Sequence, residues 1–245
     1  MNLAAEEQTE EMNLLDVVGW ISIGTSVVCA LVIVFDELAH PQKMWVMNVV
    51  WPTTALYFSV FALWAYFRIG RRMTKKEMAK VSQEKKKEQT PQARQNPTLT
   101  QIAISDSHCG AGCTLGDIIA EFIVFALGLS VLGVSLYASY IVDYAFAWTI
   151  GIAFQYFVIK PMKGLSPRKA LIAAVKADTL SITTFQIGMY AWMALVFFVF
   201  FSNPHLHPTQ PAYWLIMQIA MICGFVTSLP MNRWLLKWGL KEAMG

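Results

Sequence analysis

Six apolar runs, each near the roughly 20 residues that a helix needs to cross the hydrocarbon of a bilayer, constrain this chain more than any other feature. They occupy residues 17–35, 46–67, 115–137, 141–159, 180–201 and 213–229 of 245. Only 14% of the residues are charged, against roughly a quarter in soluble domains. The deficit points to lipid as solvent, and the expected fold is all-α: a polytopic membrane bundle of six transmembrane helices. Trp45, Trp51, Trp64 and Tyr66 flank the second run as interfacial anchors. The N-terminus is acidic (Glu6, Glu7, Glu10, Glu11) and no small-residue cleavage site follows the first run. That run is therefore expected to stay as an anchor rather than be removed.

The charges are lopsided. Of nineteen Lys and Arg, the segment from Arg68 through the linker holds ten, residues 160–178 five and the tail three, while Lys43 alone falls in a loop on the other side. Basic loops stay in the cytoplasm, so both termini are expected there, in a bacterial inner membrane. Three units follow: a two-helix hairpin over 1–67, a basic linker over 68–104, helical to about residue 87 and then disordered, and a four-helix membrane domain over 105–245. Ser166-Pro167 reads as an N-cap followed by the first helical position, opening a short interfacial helix before the fifth run. The turn between the third and fourth runs is expected near residues 137–141, and Pro230 is expected to close the sixth.

The stretch His108-Cys109-Gly110-Ala111-Gly112-Cys113 carries the most chemistry. Cys109, Cys113, Asp117 and Glu121 recur every fourth residue, which on a helix stacks two thiols and two carboxylates on one stripe. Placed at the cytoplasmic mouth of the third span, at a helix N-terminus, the thiols would favour the thiolate form. His108, Cys109 and Cys113 would then accept a soft ion such as Cu(I). Met189/Met193 and Met217/Met221, both i, i+4 pairs at mid-span, would line its path, although methionine also fills gaps in apolar helices. Gly112, Gly116 and Ala120 form a small-x3-small row that explains the same stretch by close helix packing alone.

Asp117, Glu121, Asp143, Gln155, Asp178, Gln186 and Asn232 make up an intramembrane polar set of the kind that marks ion or proton paths. Asp178 also reads as an N-cap for the fifth span. His205 and His207, in the loop before the sixth span, are a weaker metal candidate. The chain has no phosphate-binding loop, which argues against nucleotide. The expected absence of a mid-span histidine pair argues against haem. The basic linker fits anionic lipid headgroups rather than nucleic acid. Self-association and docking of a metal-handling partner stay open, and the balance leans away from an enzyme. Soft-metal binding or transport is the leading expectation. A membrane thiol oxidoreductase using Cys109 and Cys113, and a non-metal transporter or scaffold, are the alternatives.

The run from His108 to Glu121 resembles the signature of a bacterial membrane family known only as a domain of unknown function. Asp143-Tyr144, Phe154-Gln155-Tyr156, Lys176-Ala177-Asp178, Ile187-Gly188-Met189 and Pro230–Leu235 continue the likeness over roughly the last 140 residues. The resemblance implies that these residues matter. It also implies an occasional association with heavy-metal-handling modules, and no reaction.

Overall fold

A computed structural model describes residues 2–75 and 97–241, with side chains from residue 14 onward. Six long helices follow one another: α1 (Asn2–Ala39), α2 (Met47–Arg68), α3 (Leu99–Leu127), α4 (Ser135–Lys163), α5 (Pro167–Leu195, extended by a wider turn over Val196–Phe200) and α6 (Pro211–Lys237). All six are long and apolar enough to cross a membrane, and no β-strand occurs among the described residues. The helical extension expected from residue 68 to about 87 is not continuous where it is described: α2 ends at Arg68 and a tighter turn follows over Gly70–Met73, while residues 76–87 lie outside the described residues.

Several boundaries differ from those read off the sequence. Thr98 and Gln101 form a reciprocal capping box, so α3 begins at Leu99, some sixteen residues before the expected start. It ends at Gly128, whose φ of 60° supplies the left-handed cap. The α3–α4 turn therefore lies over residues 128–134, not 137–141, and Asp143 sits inside α4. Ser166 and Pro167 do open α5. The helix is continuous from there, which puts Asp178 well inside it and removes its role as a cap. Pro230 is accommodated within α6, which runs on to Lys237.

The largest departure is α2. Ser59, at φ 46° and ψ −119°, breaks the helix, and the two halves fold back on each other. Trp51 meets Tyr66 edge to face at 5.7 Å, and Gln42 pairs with Thr74. The Lys43 and Lys75 amides donate to the carbonyls of Met73 and Pro41. The Tyr66 hydroxyl and Arg71 both reach Asp36. Both ends of α2 thus lie at the same end of the bundle, next to the C-terminal part of α4, where Trp45 packs on Phe157.

This reverses the expected placement of the first helix. Asp16 accepts a hydrogen bond from the Ala212 amide, and Ser22 donates to Gln218, so α1 runs parallel to α6 from the end where α6 begins. Lys241 follows the opposite end of α6. The described start of α1 and the C-terminal turn therefore lie at opposite ends, not on the same side. We call the end bearing residues 69–75, 164–166 and 238–241 the basic end, and the other, with 128–134 and 201–210, the loop end.

Candidate functional site

Every buried ionisable side chain of the four C-terminal helices faces one seam between them. From the basic end toward the loop end α3 contributes Asp106, His108, Cys109, Cys113, Asp117 and Glu121; α4 adds Asp143 and Gln155; α5 adds Asp178, Ser181 and Gln186; α6 adds Ser228 and Asn232. All are buried. The fifteen-residue interval from Asp106 to Glu121 measures about 22 Å along a helix, most of a hydrocarbon layer about 30 Å thick.

Packing explains how polar groups line up so densely. Gly112 and Gly116 lie against the backbone of α4: a Cβ on Gly112 would come within 2.9 Å of Gly151 Cα, and one on Gly116 within 2.5 Å of the Ala147 nitrogen. The small-residue row thus does its expected packing, and it turns the cysteines toward α5, α6 and the tip of α2. The packing and chemical readings of the stretch concern different faces of one helix turn.

At the basic end, the Lys241 ammonium is fully enclosed. It donates to Asp178 Oδ1 at 2.7 Å, Asn232 Oδ1 at 2.9 Å and Ser181 Oγ at 3.3 Å. Asn232 Nδ2 and Ser228 Oγ in turn donate to Asp106 Oδ1. His108 feels the charges of Asp178 and Lys241, packs edge-on to Phe154 at 5.9 Å, and has no hydrogen-bond partner at either ring nitrogen among the described residues. At the loop end, Gln186 Nε2 donates to Asp117 Oδ1 at 3.0 Å, and Ser139 donates to Glu121 at 3.2 Å. Asp143 feels the charges of Asp117 and Glu121. A cavity of about 370 Å³, ringed by the 128–134 turn and the His207-Pro208 loop, reaches down to Glu121, Ser139 and Tyr213.

Between these two carboxylate groups stand the thiols. Cys109 and Cys113 contact each other and share one apolar cluster with Tyr57, Met189, Met193, Met217 and Met221. They lie eleven and fifteen residues beyond the Thr98 cap, in the middle of a helix. The expected cytoplasmic mouth is therefore corrected to the bundle interior, and the helix N-terminus has no hold on these sulfurs because its field fades within a turn.

His108 likewise becomes a histidine of the bundle interior rather than one at a mouth, with its ring packed against Phe154. Among the described residues, no three His, Cys, Asp or Glu side chains converge closely enough to hold a metal ion. The methionine pairs divide: Met193 lines the cavity above Glu121, whereas Met217 and Met221 line a second, apolar one beside α1. The Met221 sulfur accepts from Thr114 at 3.7 Å.

Five members of the seam were not singled out from the sequence. Asp106 was hidden by a helix start placed too late, and Ser181 and Ser228 are single hydroxyls inside expected spans, with no pattern to mark them. Tyr57, whose hydroxyl lies over Gly110, was hidden by the fold-back of α2. Lys241 read as one of three basic residues of the tail, and no local pattern marks it otherwise.

The match to known families covers this same region. Residues 98–241 match the family described as a domain of unknown function, DUF4396. No curated protein and no solved structure matches the chain.

Proposed function

Taking as premise that the chain belongs to the DUF4396 family of unknown function, we propose that it is a multi-pass transporter of the bacterial cytoplasmic membrane. It passes a cation along the buried seam, and its thiol pair makes Cu(I) the cargo that fits best. The observation that carries this reading is the seam itself, with Cys109 and Cys113 midway between two carboxylate groups. Buried acids in a membrane are costly unless their charge is compensated. Yet Asp106 Oδ2, Asp178 Oδ2, Asp117 Oδ2 and Asp143 Oδ1 have no partner within the described chain. A thiol pair with thioethers in the same cluster suits a soft ion and suits hard ones poorly. The broken α2, whose tip meets the thiol turn at mid-depth, is the device by which many transporters bring irregular backbone to a central site.

Orientation follows from the fold-back. With Lys43 now at the basic end, all nineteen Lys and Arg belong to segments at that end or leading from it. The basic end is then cytoplasmic, the C-terminus lies inside, and the cavity above Glu121 opens outward. The basic linker meets anionic headgroups on the inner leaflet.

Elemental analysis of protein purified without chelators tests the cargo. Copper is expected in the wild type and is lost in Cys109→Ser/Cys113→Ser; metal that survives the double substitution overturns the assignment. A second reading, a proton-driven carrier without metal, is favoured by the unpartnered oxygens of Asp117 and Asp143 beneath the cavity. Proton uptake into vesicles that persists without the cysteines but fails in Asp117→Asn would select it.

A further inference from the structure

The C-terminal turn places a charge where nothing in the family match or the thiol chemistry requires one. After α6, Gly239 adopts φ 68°, and the Gly239 and Leu240 amides bond back to the carbonyls of Leu236 and Leu235. This left-handed cap reverses the chain and aims Lys241 into the bundle. Its ammonium is enclosed by carboxylate, amide and hydroxyl oxygens from α5 and α6 only: Asp178, Ser181 and Asn232, with Asp106 and Ser228 of α3 and α6 one bond behind. Burial alone would favour the neutral amine, yet Asp178 and the other neighbouring negative groups hold its pKa above the usual lysine value. The three donors of the ammonium are all used, and the pocket still has acceptors to spare, since one oxygen of Asp106 and one of Asp178 lack partners among the described residues. Two carboxyl groups thus face a single tethered cation.

We propose that this pocket is an oxygen-lined site for a small monovalent cation of the size of ammonium, and that Lys241 is its built-in occupant, closing the basic end until the C-terminal turn withdraws. The inference relies on the transport reading only for what closure would regulate. The site itself involves no sulfur, so its test uses no soft metal.

Melting temperature is measured in detergent with ammonium chloride or potassium chloride, against N-methylglucamine chloride at the same ionic strength. The wild type, with its site filled, is expected to be indifferent to the cation. Lys241→Met is expected to melt lower in N-methylglucamine and to recover roughly 5–10 °C once ammonium or potassium exceeds its dissociation constant a hundredfold. Lys241→Met combined with Asp178→Asn loses one carboxylate along with the cation and so restores the wild-type charge balance of the pocket; it should stay folded without either ion and show no cation response. That variant keeps the test readable if the single one cannot be handled.

Equal cation responses in wild type and Lys241→Met, a Lys241→Met melting temperature that follows pH but neither cation, or a double variant no more stable than the single one in N-methylglucamine would each overturn the proposal. A result unchanged in the Cys109→Ser/Cys113→Ser background, alongside loss of copper, would show the two sites to be independent.

Discussion

Replacing Gly116 by alanine tests whether the thiol turn is held by backbone contact between α3 and α4. The added Cβ would lie 2.5 Å from the Ala147 nitrogen, 2.7 Å from its Cα and 2.8 Å from the Phe146 carbonyl carbon, where ordinary contact begins near 3.4 Å. The two helices must therefore part by nearly an ångström, and no flexible side chain is present to yield instead. Overpacking of this kind costs about 1–3 kcal/mol, and backbone obstruction places it at the upper end. Alanine returns about 1 kcal/mol through helix propensity, leaving a net loss of about 2 kcal/mol. Gly24→Ala is the matched control: it too is helical, and no described residue lies within 4 Å of its added Cβ, so only the propensity gain remains. The two variants should differ by about 3 kcal/mol, which corresponds to roughly 6–12 °C in the melting temperature of a chain this size. Thermal unfolding in one detergent, followed by tryptophan fluorescence, reads the difference directly. If Gly116→Ala melts as high as Gly24→Ala, the helices are not in backbone contact at the thiol turn and the packing argument fails.

Two further substitutions probe the break and the seam. Ser59→Gly relieves a strained backbone worth about 1–3 kcal/mol, less about 0.5–1 kcal/mol for the added freedom of the unfolded chain; it should raise the melting temperature, and a lower one would show that α2 does not turn at Ser59. Tyr140 and Tyr190 stack at 4.0 Å, each hydroxyl donating to the other residue's carbonyl at 2.6 and 2.7 Å. Each change to Phe should cost about 0.5–1.5 kcal/mol. The two rings are in contact and each residue bonds the other, so the double variant should depart from additivity by about 0.5–3 kcal/mol, measured by a double-mutant cycle on thermal unfolding; strict additivity would show that the pair does not act as a unit.

What could be read in the sequence was what depends on local pattern. Apolar length located all six helices, and Ser166-Pro167 marked the start of α5 because a cap and its following proline are neighbours in the chain. Thr98-x-x-Gln101 carried an equally local signal for the start of α3. It was masked by the glycines and serines that follow, whose density suggests a loop in water but close packing in a membrane. The α3–α4 turn escaped because Leu129, Val131, Leu132 and Val134 make it as apolar as a span. The fold-back of α2 has no local mark at all: Pro52 lies inside the first half, and the residue that turns is a serine. Apolar length says that a helix is comfortable in lipid, not whether it leaves by the face it entered. The partners of Lys241 are distant in sequence, Asp178 by 63 residues, and no periodicity connects them.

The two halves of α2 help explain why the N-terminal helices belong with the domain they precede. Residues 47–58 and 60–68 measure about 18 and 14 Å at 1.5 Å per residue, each close to half of a hydrocarbon layer about 30 Å thick. A break at that depth exposes backbone groups that lipid cannot satisfy, so it survives only where protein covers it. Gln218 of α6 supplies part of that cover, donating to the Leu56 carbonyl at 2.8 Å while also bonding Ser22 and Ser26 of α1. Conversely, α1 and α2 bury Ile104, Ala111 and Val158 of the matched region in a common cluster with Cys29, Ile33 and Trp51, and α2 sets Tyr57 over Gly110. A free-standing anchor would show neither dependence. The fold-back of α2 and the thiol turn of α3 stabilise each other, and a change at either should be felt at both.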